Sequence, residues 1–439
     1  MKEIVQGQKK IILKFKKYFQ KKSQLNSYNY CSLGSDSLGA LKFKLSINFK
    51  KYFFSFLKEF IKELYSLGLI ENIKIIKNCN SDRYENIILN WSFKSDFKKS
   101  FYDKYFNINS DNYKKILWLL VYMSNDYPNK LPQNTCIMHI KKNTDFRLNC
   151  FFKNIFFIMN NSKLPLRSII FNFSQQLLIS IHLNKIFTDN INFSKIKKFL
   201  LPYESQLFQK EIIHEIKKKQ TNVKIIGYDH TAPQPMPINL FYDRFSPDLL
   251  LVGSKNKLKF NNVYLGWPKN KIKLMKSFRF KTNKDEFRKS ILLPYALKNE
   301  KKHLKNMRIL MEIMNIKTLS KFKIKIHPAC QKKSDHLKFC NKIKNLKNFK
   351  YKKQLKKIDV NNVAIFFGQT TAIPLAIESG LNCYNICDDS KFDVYNSEFW
   401  KGIISIKINN YIFHYKIKNK DSLIWIDNKT NDFRKILKI

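Results

Sequence analysis

The chain has 439 residues, of which 44% are hydrophobic, so a disordered chain is excluded and there is material for two or three domains with real cores. Lys and Arg number 82 against 33 Asp and Glu, a formal net charge of +49 that invites a nucleic-acid or anionic-membrane partner. The lysines run the whole length with no basic tail and no aromatic–basic repeat, as an AT-rich coding sequence would produce; nucleic acid is therefore disfavoured, and an anionic bilayer surface stays open.

Residues 9–22 (KKIILKFKKYFQKK) form a basic amphipathic stretch with Ile11, Phe15, Tyr18 and Phe19 on one helical face. Such a helix either lies on an anionic membrane or packs on its own domain. Residues 32–39 (SLGSDSLG) read as a loop. Residues 53–67 have helical spacing and stop before Gly68, a natural C-cap. Residues 1–80 are thus expected to be a mostly helical extension. A strand is expected over 86–91, an apolar helix over 114–123 and a second strand over 135–140, followed by a mostly helical region to 192. From residue 196 the alternation becomes regular. A strand at 199–201 precedes a helix over 203–219. The next strand, 223–227, runs into Tyr228-Asp229-His230-Thr231 and a loop with Pro233, Pro235 and Pro237. A further strand at 248–252 ends at Gly253, a turn region covers 263–268, and residues 271–280 lead out of this half.

The polar stretch 281–290 marks a boundary, so residues 81–283 are one unit and 284–405 the next. The second unit begins with a strand at 291–297 and a helix over 299–314 with Leu304, Met307, Leu310, Met311 and Met314 at core spacing. A strand over 323–326 ends at His327-Pro328, and a helix follows near 336–343. The apolar strand 363–367 stops at Gly368-Gln369-Thr370-Thr371, and a helix then runs to Gly380. The last strand expected is 382–387, and residues 406–439 read as a closing segment. Two runs of strands alternating with helices imply an α/β chain with two Rossmann-like domains facing across a cleft.

Cys31, Cys79, Cys136, Cys150, Cys330, Cys340, Cys383 and Cys387 make no Cys-x-x-Cys pair, and no matched His pair completes a zinc site. They read as reduced thiols of a cytoplasmic protein, and no metal is expected. The basic N-terminus lacks the apolar core of a signal peptide. No stretch approaches the ~18 uninterrupted apolar residues of a spanning helix. The protein is expected in the cytoplasm, free or peripheral on a membrane.

A short strand that breaks at Gly and opens a helix presents backbone N–H groups and a partial positive charge to an anion. Gly368, Gln369, Thr370 and Thr371 fit that description, and His327 and Pro328 end a neighbouring strand. Together they suggest a phosphate-bearing site for a nucleotide; each alone also fits a capping Thr and a turn His. On the other half His230, beside Asp229, follows a strand. An imidazole with pKa about 6.5 suits a general base for a hydroxyl acceptor, and it also suits a buried hydrogen-bonded His. Glu204 is the second candidate base, or a charge complementing a helix N-terminus. Arg279 pairs with an anion or with a structural carboxylate. There is no P-loop, no Gly-x-Ser-x-Gly elbow and no His-Glu-x-x-His.

With these residues in place, the stretch 86–400 resembles the bacterial surface-carbohydrate biosynthesis proteins, which look like GT-B glycosyltransferases. The likeness is carried by Tyr203-Glu204, Gly227-Tyr228-Asp229-His230-Thr231, Pro247-Asp248, Gly266-Trp267, Phe278-Arg279-Phe280, Ile326-His327-Pro328 and Gly368-Gln369-Thr370-Thr371 with its following helix. The last two are similar to the His-Pro and Ser/Thr motifs of sialyltransferase, Kdo-transferase and teichoic-acid polymerase relatives. The resemblance implies that His327, Thr370 and Thr371 hold the phosphate of a CMP-sugar or UDP-sugar donor, with Glu378 on the same helix. It implies His230 as base toward a glycan or lipid-linked acceptor of lipopolysaccharide or capsule. Retaining GT-B enzymes carry a Glu at the position that here is Leu375, so an inverting, metal-independent transfer is expected. The alternatives from other classes are a non-catalytic nucleotide- or carbohydrate-binding protein and a basic nucleic-acid-binding protein.

Overall fold

The computed structural model describes residues 1–21, 49–76, 81–128, 130–162, 173–189, 191–219, 222–280, 284–295, 297, 299–350, 359–425 and 433–438. The loop expected at 32–39 and the start of the expected boundary at 281–283 lie outside the described residues.

The first part of the chain builds an eight-stranded sheet. Two helices, α1 (Lys2–Lys21) and α2 (Phe49–Leu69), precede β1 (Ile70–Ile75). Then come β2 (Asn86–Ser92), a short hairpin of β3 (Tyr102–Asp103) and β4 (Ile108–Asn109), β5 (Ile116–Tyr122) and β6 (Thr135–Lys142). The paired helices α3 (Leu148–Asn161) and α4 (Gln175–Asp189) lead to β7 (Lys198–Pro202), α5 (Leu207–Lys219), β8 (Lys224–Asp229), β9 (Leu249–Val252), α6 (Lys255–Tyr264) and β10 (Ile272–Leu274). The strand order is β1-β6-β5-β2-β7-β8-β9-β10. All neighbours are parallel except the edge pair β1 and β6.

The second part begins with α7 (Lys284–Phe287), β11 (Ser290–Leu292), α8 (Glu300–Ile313), β12 (Lys323–Lys325) and α9 (Ser334–Lys344). It continues with β13 (Val363–Phe367), α10 (Ala372–Glu378), β14 (Asn382–Ile386), α11 (Ser390–Asp393), β15 (Ile403–Lys407), β16 (Ile412–Ile417) and α12 (Arg434–Lys438). Its six strands lie in the order β12-β11-β13-β14-β16-β15. The first four are parallel, and β16 and β15 close the edge as an antiparallel hairpin.

Three expectations are corrected. Residues 114–123 are not a helix: β5 is a strand, and all seven of its residues are buried. It runs between β2 and β6 with both faces covered. Such a strand reads as an unbroken apolar run, which periodicity cannot tell from a buried helix. Within the segment 1–80, Lys2–Lys21 and Phe49–Leu69 are helical as expected, but β1 joins the first sheet as its antiparallel edge. Residues 406–439 are more than a closing segment, because β15 and β16 extend the second sheet.

The amphipathic face of α1 is turned inward. Ile4, Ile11, Ile12 and Phe15 are buried, and Phe15 stacks on Phe241 with ring centroids 6.5 Å apart. The two parts of the chain share one apolar core. Phe260 of α6 stacks on Trp400 at 4.9 Å. Tyr395 donates its hydroxyl to the carbonyl of Pro233 at 2.7 Å, and Trp400 donates its indole N–H to that of Pro235 at 3.2 Å. After β16 the chain returns to the first sheet. The Trp425 N–H donates to the Gly253 carbonyl at 2.6 Å, and Phe433 beside α12 packs on Phe106. The six described cysteines are buried. Among the described residues no helix is long and apolar enough to cross a membrane.

Candidate functional site

An open parallel sheet offers a crevice where successive crossovers depart to opposite sides, beyond the carboxyl ends of the strands. In the first sheet β2 has β5 on one side and β7 on the other, so the crevice lies between β2 and β7. In the second sheet β11 is flanked by β12 and β13, and the crevice lies between β11 and β13.

Glu204 stands just past β7, at the first of these points. Its carboxylate Oε1 lies 3.2 Å from Nε2 of His230, which follows the neighbouring β8. The Glu204 side chain is 34% exposed and the His230 side chain 3%, so Glu204 is the end of the pair that meets solvent. The other ring nitrogen of His230, Nδ1, is buried with no hydrogen-bond partner. Burial alone would raise the Glu204 carboxyl. The hydrogen bond from His230 and the charges of His230 and Arg279 outweigh that and hold it below the ordinary carboxylate range.

The surrounding chain fixes this pair. The Gln206 amide donates to Glu204 Oε2 at 2.7 Å, and Gln209 accepts from the Glu204 N–H at 3.0 Å. Ser205, buried, holds a left-handed φ of 59°, a cost that non-glycine residues bear only where the surroundings enforce it. Gly227 of β8 is required by packing, since a Cβ there would lie 2.8 Å from Pro247 and 2.9 Å from Tyr203. The Tyr105 ring meets the His230 ring edge-on at 4.6 Å. Its loop is anchored by the buried Asp103, which accepts from the Tyr105 N–H at 3.0 Å, from Asn90 at 2.8 Å and from the Trp118 indole at 3.0 Å. Burial pushes the Tyr105 phenol well up, and the charge of Glu204 adds to this. The exposed Arg279 guanidinium is 5.7 Å from the same ring.

Asp229 is not the carboxylate paired with His230. Its Oδ2 lies 2.6 Å from Lys257 Nζ, with both side chains buried. Its Oδ1 accepts from the Thr231 hydroxyl at 2.9 Å. Lys257 also donates to the Thr231 carbonyl at 2.6 Å. The Asp229–Lys257 pair therefore ties the turn that carries His230 to the first turn of α6.

At the second crevice Gly368 follows β13 with φ +63°, and its N–H donates to Ile386 at 2.8 Å. A Cβ at this position would lie 3.4 Å from Asp388 Oδ2 and 3.7 Å from Pro294. Gln369 and Thr370 are half-buried and Thr371 is exposed. The Thr370 hydroxyl accepts from the Ala372 N–H at 3.3 Å, a local cap at the start of α10. His327 and Pro328 are exposed, with His327 against the Tyr295 ring at 5.4 Å. Burial, then the neighbouring His336 and Lys333, lower the His327 imidazole below its ordinary value. The buried His336 fixes the same loop by bonding the Pro294 carbonyl at 3.0 Å.

Glu378 sits at the far end of α10, roughly 9 Å along the axis from Ala372 at 1.5 Å per residue. Its carboxylate accepts backbone N–H groups of Asp421 at 3.0 Å, Leu423 at 2.7 Å and Ile424 at 3.3 Å. It holds the returning chain, and the geometry does not bring it to the Gly368 turn.

Asp388, which in the sequence follows a strand as part of Asp388-Asp389 without forming an Asp-x-Asp motif, lies 3.0 Å from Nε2 of the buried His303 on α8, a residue the sequence did not single out. Lys302 donates to the Asp388 carbonyl at 2.9 Å and lies over the Tyr411 ring. His303 stands four residues before Met307 on the core stripe of its helix, which was the available signal. Tyr105 and Lys257 had none, since neither belongs to a motif. A cleft of about 710 Å³ opens beside Asp388, with Lys302, Lys391, Lys407 and Tyr411 on one wall and Lys10 and Lys14 of α1 on the other. Among the described residues no group of three or more His, Cys, Asp or Glu is placed to hold a metal ion.

No family model matches the chain, and no curated protein matches it.

Proposed function

We propose that the chain is a GT-B-type glycosyltransferase, peripheral to the cytoplasmic face of the inner membrane. It would move a sugar from a nucleotide-activated donor to a growing surface glycan with inversion. The observation that carries this reading is positional. The Glu204–His230 pair stands at the crevice of the first sheet, and the Gly368 turn stands at the crevice of the second. Lys62 of α2 lies 5.8 Å from the Tyr295 ring, so the helix leading into the first sheet reaches the loop beside the second crevice.

In this proposal Glu204 is the base, in place of His230, because it is the half-buried member of the pair that reaches solvent, and it is ionised. The acceptor hydroxyl gives its proton to Glu204 as its oxygen bonds the anomeric carbon. The bond from that carbon to the donor phosphate breaks on the opposite face, and the nucleotide leaves with the electron pair. His230 orients the carboxylate through Nε2. Gly368, Gln369, Thr370 and Thr371, with His327, receive the phosphate through N–H and hydroxyl donors. The test is nucleotide release from CMP-sugar and UDP-sugar donors on addition of a surface-glycan acceptor. The proposal expects turnover by wild type and a loss of about 10²–10⁴ in kcat for Glu204→Gln. Equal turnover by the two proteins would remove Glu204 from the chemistry.

A further inference from the structure

The apolar face of α1 is consumed inside the protein, but two other helices leave theirs uncovered. On α2, Phe54, Leu57, Ile61 and Tyr65 are 75%, 38%, 56% and 50% exposed. On α3, Leu148, Phe152, Phe156 and Met159 are 62%, 48%, 59% and 41% exposed. Each set recurs at steps of three and four residues, so each is a single stripe along its helix. The stripes are joined by a run of rings. Tyr65 stacks on Phe146 at 5.1 Å, Phe146 meets Phe151 at 5.7 Å, and Phe151 meets Phe152 at 5.5 Å. At roughly 200 Å² per large side chain the exposed fractions sum to about 860 Å². An ordinary monomer shows a largest patch of about 300–600 Å².

The charge around the patch is mainly basic. Lys58, Lys62, Arg147 and Lys153 are exposed along the two helices, against an exposed Asp145. The sequence of α3 contains no acidic residue at all. Glu71, at the foot of the patch, is already paired with Lys141 at 2.8 Å. An apolar stripe edged by lysines, on a chain of net charge +49, matches an interface with apolar depth and negative headgroups.

We propose that the α2–α3 face docks on an anionic phospholipid bilayer, with the two stripes in the acyl boundary and the lysines at the headgroups. This rests on and deepens the membrane-peripheral part of the proposed function, and it is independent of the transferase chemistry. The test uses the whole chain with phosphatidylcholine vesicles, with and without phosphatidylglycerol. Wild type is expected to float with the anionic vesicles and to be released by salt. The variant Phe54→Ser/Phe152→Ser/Phe156→Ser is expected to bind at least ~10-fold more weakly with an unchanged melting temperature. Phe152→Trp supplies a second readout, a blue shift of its emission on adding anionic vesicles. Three results would overturn the proposal: no vesicle binding by wild type, equal binding by the triple serine variant, or no shift from the inserted tryptophan. A wild-type dimer that the triple variant dissolves into monomers would also overturn it, assigning the face to a second copy. Because the readout is binding rather than turnover, failure here leaves the transferase reading standing, and the reverse holds.

Discussion

Asp229 and Lys257 form a buried ion pair, 2.6 Å from carboxylate to ammonium, one residue away from His230. Neither charge has water to fall back on, so removing one strands the other. Asp229→Ala should cost about 3–5 kcal/mol of stability. Asp229→Ala with Lys257→Met should recover most of that loss, since replacing both partners by apolar groups is close to neutral. Denaturant melts of the two variants check this. A small loss for Asp229→Ala alone would mean that the pair is not buried in solution as described.

Glu204 carries the pH dependence. Burial would raise its carboxyl, but His230 and Arg279 hold it below the ordinary range. A depressed carboxyl contributes stability that is present above its unfolded value and lost as pH falls through the lower folded one. The same ionisation sets the acid limb of activity. That limb should lie below pH about 4.3, the ordinary glutamate value. His230→Ala removes the largest lowering contribution and leaves burial, so the limb should move up. A kcat/KM profile whose acid limb stays in place in His230→Ala would contradict the assigned roles.

Glu378 has the opposite sign. Burial raises its carboxyl, and the N–H groups of Leu423, Ile424 and Asp421 only partly offset that. A raised carboxyl contributes stability at low pH that is lost as pH climbs from the unfolded value, about 4.3, through the raised folded one. Glu378→Gln should remove that slope from the stability–pH curve. It also replaces one accepting oxygen with a donor, which should cost about 1–3 kcal/mol at neutral pH. Proteolysis between residues 418 and 425 should speed up in the variant if the carboxylate holds the returning chain. Unchanged cleavage would count against that role.

Gly368→Ala tests the turn of the second sheet. A φ of +63° disfavours any side chain, although a Cβ would make only ordinary contact with Asp388 at 3.4 Å. The expected cost is about 1 kcal/mol or more. On the transferase reading it should also weaken donor binding, which titration of donor nucleotide into both proteins would measure.

What could be read from the sequence was what local pattern encodes. The strand at 363–367 was bounded correctly, because a run of β-formers meets a glycine that the backbone there requires. The alternation from residue 196 onward gave β7, α5, β8 and β9, and then β11 to β14 with α8, α9 and α10, but it missed α6, β10, β15 and β16. Where both faces of an element are buried, as in β5, the pattern loses its period and the assignment failed. Partnerships between distant residues were the least legible. Sequence placed Asp229 beside His230, but adjacent residues on a strand point to opposite faces, and the fold gave His230 to Glu204 and Asp229 to Lys257. The inward turn of α1 could not be settled from its amphipathic pattern either, since a membrane and a core ask for the same face.

The central claim is tested most directly by a thermal-shift panel of CMP, CDP, UDP, GDP and their sugar conjugates on wild type and His327→Ala. A ligand at about 100 times its Kd stabilises by ~2.7 kcal/mol, a readable change in Tm. The account predicts that one nucleotide class raises the Tm of wild type and does so far less in His327→Ala. No rise with any nucleotide, in the absence and in the presence of acceptor glycan, would contradict it.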